Sequence, residues 1–197
     1  MTDKQDIEFE ALYPNVDETK LRQQLLDLGG VCSVPRRLMR RQVLYPPKDP
    51  NRTLPFLWVR VRDEGDKITA SVKGHDGSDS ITAQTEVSIK VDSYQKAIDF
   101  ALALGCTKKT YQENYRETWI LDGAEIVIDE WPYLEPYVEI EAESEEKVKQ
   151  VSEQLGFDYQ QAIFTNVVEL YHRKYGLEHK AITKTPKIVF DQPNPFV

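Results

Sequence analysis

The chain has 197 residues, enough for one domain with a substantial core, and its 25 Lys+Arg against 33 Asp+Glu give a formal net charge of −8. That acidic balance argues against a general nucleic-acid-binding surface, which needs a basic footprint. The two cysteines, Cys32 and Cys106, form no CxxC, which argues against a disulfide framework or a cysteine zinc site.

Both cysteines are expected as small buried apolar residues. No hydrophobic signal region and no apolar run of membrane-spanning length occurs, so the expected location is cytoplasmic, with no membrane partner. Residues 7–12 alternate, with Ile7, Phe9 and Ala11 on one side and Glu8, Glu10 and Leu12 on the other, which predicts a strand. After Pro14-Asn15, Asp17 caps a helix whose apolar stripe is Leu21, Leu25 and Leu28, and Gly29-Gly30 ends it. Arg36-Arg37 and Arg40-Arg41 form a basic patch before Tyr45, readable as a solvated strand end or as a local supply of cations.

Residues 56–63 form a strand with Trp58, Arg60 and Arg62 on one face and Leu57, Val59 and Val61 on the other. Residues 68–73 alternate Ile68, Ala70 and Val72 against Thr69, Ser71 and Lys73. A loop over 74–79 follows, with His75 expected exposed in it. Residues 83–89 place Gln84, Glu86 and Ser88 opposite Thr85, Val87 and Ile89. A helix over 93–104 carries Ala97, Phe100, Ala101 and Leu104 at helical spacing. Strands follow at 114–121, 125–129 and 137–143, the first two joined by the Asp122-Gly123 turn. Ser144 caps a third helix with Val148, Val151 and Leu155 as its stripe, and a short helix covers 166–175. The expected domain spans 1–176, with 177–197 an irregular tail punctuated by Pro186, Pro193 and Pro195. His172 and His179, in or beyond the last helix, carry little signal, and Trp131-Pro132-Tyr133 reads as an apolar hairpin or lid.

A strand glutamate followed by a helix ending in Leu-Gly occurs three times: Glu10 with Gly29, Glu86 with Gly105, and Glu141 with Gly156, at spacings of 19, 19 and 15 residues. Long antiparallel strands with a few outer helices describe an α+β protein built on a barrel or tunnel. The polar strand faces collect Glu8, Glu10, Arg60, Arg62, Lys73, Glu86, Arg116, Asp129, Glu139 and Glu141. Turned inward, the carboxylates would offer hard oxygen ligands to Mg²⁺ or Mn²⁺, and the cations would hold phosphate oxygens. No Gly-rich phosphate loop, HExxH or nucleophile elbow occurs.

These stretches carry a family resemblance. Glu8-Phe9-Glu10 resembles the opening of the ExExK signature of the CYTH superfamily, which includes class IV adenylate cyclases, thiamine triphosphatases and inorganic triphosphatases. Trp58 to Arg62 is similar to its LRxR strand, Ile68 to Gly74 to its lTxK strand, and Arg116 to Trp119 to its RxxY/W strand. Ile126 to Asp129 and Tyr137 to Glu141 look like its closing acidic strands, and Glu169-Leu170-Tyr171 resembles the cyclase-like bacterial members. The resemblance implies an antiparallel eight-stranded triphosphate tunnel with flanking helices. It implies metal at Glu8, Glu10, Glu86, Asp129, Glu139 and Glu141, phosphate at Arg60, Arg62, Lys73 and Arg116, and catalysis at Glu8 and Glu10. The implied cofactor is Mg²⁺ or Mn²⁺ and the implied partner a small-molecule triphosphate (nucleotide, thiamine triphosphate or polyphosphate), hydrolysed or, for ATP, cyclised; DNA and RNA are not expected and a homodimer is left open. Three positions depart from the pattern: Leu12 stands where ExExK has lysine, Asn114 where a KxR pair begins, and Gln84 where an arginine often precedes the glutamate. Those departures carry an alternative, a catalytically weakened member that binds nucleotide or polyphosphate without efficient turnover.

Overall fold

A computed structural model describes residues 6–7, 9–51, 55–78, 80 and 84–197. One 10-stranded sheet organises the chain. Its strands are β1 (Asp6–Ile7), β2 (Phe9–Pro14), β3 (Val31–Tyr45), β4 (Phe56–Asp63), β5 (Ile68–His75), β6 (Gln84–Val91), β7 (Thr107–Leu121), β8 (Ala124–Glu130), β9 (Tyr137–Ala142) and β10 (Lys187–Ile188). The helices are α1 (Glu18–Asp27), α2 (Tyr94–Ala103), α3 (Glu145–Gln154), α4 (Val168–Tyr175) and α5 (His179–Thr183). The strand order is β1-β6-β5-β4-β3-β7-β8-β9-β2, every pair along it antiparallel, while β10 runs parallel to β7. The eight long strands, β2 to β9, curl into the expected α+β tunnel. Its two outermost positions belong to consecutive stretches of chain, since Ile7 pairs with Thr85 of β6 and Phe9 with Ala142 of β9.

The alternation read from the sequence sets which face each strand turns outward. Ala11, Tyr13, Trp119, Ile126, Ile128, Val138 and Ile140 form the outer core under α1 and α3, meeting Leu21 and Leu25 of α1 and Val148, Val151 and Leu155 of the third helical segment. Full burial of each such aliphatic side chain contributes roughly 1.5–3 kcal/mol. The expected repeat is physical: β2–α1, β6–α2 and β9–α3 are each a strand and a capped helix that stops at a left-handed glycine, Gly29, Gly105 and Gly156, with φ of 82, 87 and 80°. Asp17, Ser93 and Ser144 accept from the backbone N–H three residues on, as capping residues should.

Five expectations need correction. Leu28 is 46% exposed because α1 ends at Asp27, before the stripe's third position. Helix α2 buries Ile98 and Ala101 against Leu44 and Val61 and leaves Phe100 and Leu104 exposed, so its apolar face is turned from the expected one. Cys32 is exposed, because β4 reaches β3 only from Arg40 onward and the first part of β3 pairs with β7 alone. The chain after Gly176 is neither irregular nor loosely docked: α5 and β10 bury Ile182 and Ile188, and Phe196 joins them in a second core with Leu12, Trp131, Tyr137 and Tyr171. His75 ends β5 half-buried, accepting from the Gly77 N–H at 2.9 Å.

A candidate phosphate-binding tunnel

The inward faces of the strands line a cavity of about 1640 Å³. Directly opposed residues of antiparallel strands share a face, so the register alone assembles the lining. Arg62 lies opposite Arg41 and Thr69, Arg60 opposite Ser71, Lys73 opposite Glu86, and Arg116 opposite Asp129. At the other side Glu141 lies opposite both Glu10 and Glu125, and Glu139 opposite Val127 and Leu12. Glu10, Arg41, Arg60, Arg62, Lys73, Glu86, Arg116, Glu125, Glu139 and Glu141 all reach the cavity. Glu8 lies outside the described residues.

The cations are unequally matched. Arg60 donates to Glu86 at 3.0 Å and the Lys73 ammonium lies 2.7 Å from the other oxygen of the same carboxylate. Arg116 forks onto Asp129, its Nε 2.9 Å from Oδ1, and also donates to Glu139 at 2.7 Å. Asp129 is fully buried, and its oxygens further accept from the Asn114 amide at 2.9 Å and the Tyr137 hydroxyl at 3.2 Å. Four donors on two oxygens saturate this carboxylate, so its geometry suits holding Arg116 rather than ligating a metal. Burial pulls Arg116 toward deprotonation, but Asp129 and Glu139 outweigh it and hold the guanidinium well above its ordinary pKa. Burial likewise works against the Asp129 anion, and Arg116, with Arg41 and Arg62 behind it, keeps its pKa below the usual carboxylate value.

Arg62 is the opposite case. It is buried, and among the described residues its nearest ion-pair contact is Glu64 at 3.9 Å and its Nε has no hydrogen-bond partner. Burial and then repulsion from Arg60, Arg41 and Arg116 hold its pKa well below the ordinary value. Arg41 is buried too, donates to the Asn114 side-chain oxygen, and stacks its guanidinium 4.6 Å from the centroid of the Trp131 ring. Burial, then Arg60 and Arg116, push it down to about 10.

The basic patch of the sequence therefore divides by strand alternation. Arg36 pairs outward with Glu130 under Tyr115, and Arg40 holds Asp63 at 2.7 Å. Arg37 binds Glu64 at 3.2 Å, and Arg41 turns into the tunnel. Arg41 contacts Asn114, one of the positions where the expected lysine is missing. Leu12, the other, is fully buried in the apolar cluster with Trp131, Tyr137 and Ile163 that walls the cavity. Glu125 was not singled out in the sequence, although its two-residue spacing to Val127 and Asp129 on β8 is the signal that would have found it.

The carboxylate row Glu10–Glu141–Glu125 has the chemistry of a hard-cation site. Oxygen donors of this kind suit Mg²⁺ or Mn²⁺ and not a softer ion.

A curled antiparallel sheet whose inner face carries opposed acidic and basic side chains defines the class, and sequence comparison agrees. The CYTH domain matches residues 4–169, and the chain belongs to the CYTH family. No curated protein is similar to the chain in sequence at a significant level. Among solved structures it is similar to an adenylate cyclase candidate from Vibrio parahaemolyticus, with TM-score 0.70 and 12% identity over 85% of this chain and 98% of that one. The PH1012 protein of Pyrococcus horikoshii OT3 matches with TM-score 0.67 and 16% identity, covering 83% of this chain and 99% of that one. An adenylyl cyclase candidate from Hippeastrum, described as having a dominant triphosphatase activity, matches with TM-score 0.55 and 13% identity over 95% and 100%. At these identities the likeness concerns the fold. No described helix is long and apolar enough to cross a membrane.

Proposed function

We propose that the protein processes a triphosphate inside the tunnel with the help of Mg²⁺ or Mn²⁺. One observation carries the reading: four guanidiniums, Arg41, Arg60, Arg62 and Arg116, line one cavity, the other three repel Arg62, and among the described residues Arg62 has only a loose carboxylate contact. Such a cluster opposes folding of the empty protein and is relieved by a polyanion with several oxygens. Arg62, Arg41 and Arg60 would grip the phosphates with their planar forks, with Lys73 as a point charge. Asp129 and Glu139 fix the Arg116 guanidinium in place before the ligand arrives. Glu10, Glu125, Glu139 and Glu141 are the proposed metal-holding carboxylates, with Glu8 added on its spacing alone. The bound ion would polarise the phosphates and orient the attacking group. We assign Glu10 to receive the proton of that group, whether it is water in hydrolysis or a ribose 3′-hydroxyl in cyclisation. The CYTH membership and the neighbours described as cyclase candidates and a triphosphatase support the class of substrate.

The test is release of phosphate and pyrophosphate from ATP, tripolyphosphate and thiamine triphosphate with either metal. Turnover that Glu10→Gln abolishes supports the proposal and names the substrate. A second reading, binding without efficient turnover, is favoured by Leu12, which puts an apolar side chain where the resemblance has a lysine. It predicts metal-dependent thermal stabilisation by the same compounds and no release. Leu12→Lys is a poor discriminator, because it would place an ammonium in the apolar cluster of Trp131, Tyr137 and Ile163 and so change packing along with charge, even with Glu139 on the neighbouring strand to pair it.

A further inference from the structure

Outside the carboxylate row, one cluster combines different ligand chemistry. Glu169 and His172 stand one turn apart on α4, at the i,i+3 spacing that places side chains together. Gly176, left-handed at φ 67°, ends that helix and turns the chain so that α5 begins beside it with His179. The two imidazoles meet edge to face with centroids 4.9 Å apart, and His179 Nε2 lies 2.9 Å from a Glu169 oxygen. One ligand atom from each of the three residues falls within 4.8 Å of the others. Two of the protein's three histidines are thus gathered on one carboxylate.

The surroundings orient these groups. His172 Nδ1 lies 2.7 Å from the Leu177 carbonyl oxygen. A carbonyl only accepts, so Nδ1 carries the hydrogen and Nε2 faces away with its lone pair. A ligating histidine is commonly held this way, by its other nitrogen donating to a backbone carbonyl. Arg173 Nε donates to the other Glu169 oxygen at 2.7 Å, fixing the carboxylate with one oxygen turned to His179.

We propose that Glu169, His172 and His179 form a site for a single Zn²⁺-like transition-metal ion, separate from the hard-cation carboxylates, that pins α5 to α4 at the tunnel wall. Two nitrogens and one oxygen suit zinc, in a tetrahedral site that leaves a fourth position for water. Bonds of about 2.0–2.2 Å place tetrahedral ligand atoms about 3.3–3.5 Å apart. The 2.9 Å Glu169–His179 contact therefore opens by only a few tenths of an ångström when an ion replaces the shared hydrogen. Glu169 and His179 also line the tunnel cavity, which places the ion's charge beside the space where a ligand sits. This inference does not depend on the proposed triphosphate chemistry.

The test uses the full chain stripped of metal, in excess Mg²⁺ so that the tunnel carboxylates are occupied. Zn²⁺ is titrated by calorimetry and Co²⁺ by visible absorption. The expected result is one equivalent of Zn²⁺, and a Co²⁺ spectrum with the intensity of a four-coordinate ion. His172→Ala and His179→Ala should each weaken Zn²⁺ binding at least about tenfold and remove that spectrum. His75→Ala, at the third histidine, should leave both unchanged. Both cluster histidines are exposed, so the variants should fold, and thermal unfolding without metal checks it. Absence of stoichiometric Zn²⁺ binding overturns the proposal, as do cluster variants that bind like the unaltered protein. Equal weakening by His75→Ala overturns it too.

Discussion

At the scale of the residue, Arg62 separates stability from function. It is buried among three other guanidiniums with its closest carboxylate contact at 3.9 Å, so its charge works against the fold of the empty protein. Arg62→Met keeps the apolar stem and removes the repulsion. The ligand-free variant should be as stable as the parent or more stable by about 1 kcal/mol, because apolar replacement of buried charge is often neutral or favourable. Its affinity for tripolyphosphate should fall by roughly tenfold to a hundredfold, the equivalent of losing one charge-assisted hydrogen-bonding group. Denaturant unfolding and calorimetry read the two quantities separately. A variant that loses stability while keeping affinity would show Arg62 to be a packing residue. Arg41 bears on the missing lysines at the same scale: its guanidinium contacts the Asn114 amide and stacks on Trp131, so an arginine from another strand stands next to the position left neutral.

At the scale of the element, helix caps and strand alternation carry most of the local order. Ser144 accepts from the Lys147 N–H at 3.2 Å and starts α3, whose Val148 and Val151 are fully buried on the sheet. Ser144→Ala should destabilise the protein by about 1 kcal/mol and lower Tm by roughly 2–4 °C, measured by thermal unfolding. No change would mean that packing alone fixes the helix start. Those same caps, glycine stops and two-residue periods made three helices and most of the strands legible in the sequence. Strand β3 was not, for a physical reason. Its doublets Arg36-Arg37, Leu38-Met39 and Arg40-Arg41 break the alternation, and register shifts at Cys32/Val34 and Val34/Arg37 change which face each residue turns to. Arg41 could be named only as part of a patch, and its turn into the tunnel needed the partner strands. The spacing in α2 pointed to a face with Phe100 and Leu104, whereas the apolar patch of Val59, Val61 and Ala70 beneath the helix takes Ile98 and Ala101. The tunnel-facing set Arg60, Arg62, Lys73, Glu139 and Glu141 was readable because its strands alternate without a register shift, and Arg116 because it lies in the part of β7 beyond the shift at Lys109.

At the scale of the whole molecule, stability should depend on acid in a defined direction. Arg116 and its cationic neighbours hold Asp129 below its ordinary pKa against burial, and Arg36 does the same for the more exposed Glu130. A carboxylate depressed in the folded state contributes stability above its unfolded pKa, about 4, and that stability is lost as pH falls through the lower folded value. Tm measured from pH 7 to pH 3 should stay level until about pH 5 and then fall. Asp129→Asn, which leaves the half-buried Arg116 with Glu139 alone, should lower Tm at pH 7 by roughly 6–12 °C, from a loss of about 3 kcal/mol, and flatten the acid limb. A parallel acid limb in the variant would place the titration elsewhere. The topology of the sheet bears on how the molecule comes into being. Ile7 pairs with β6 and Phe9 with β9, so the strand carrying Glu10 finds its β9 partners only 123 to 133 positions further along the chain. During synthesis that strand emerges early and waits until β9 has left the ribosome. The acidic end of the tunnel is therefore assembled after its basic end, and for that interval the protein carries an open sheet edge that a passing strand could take.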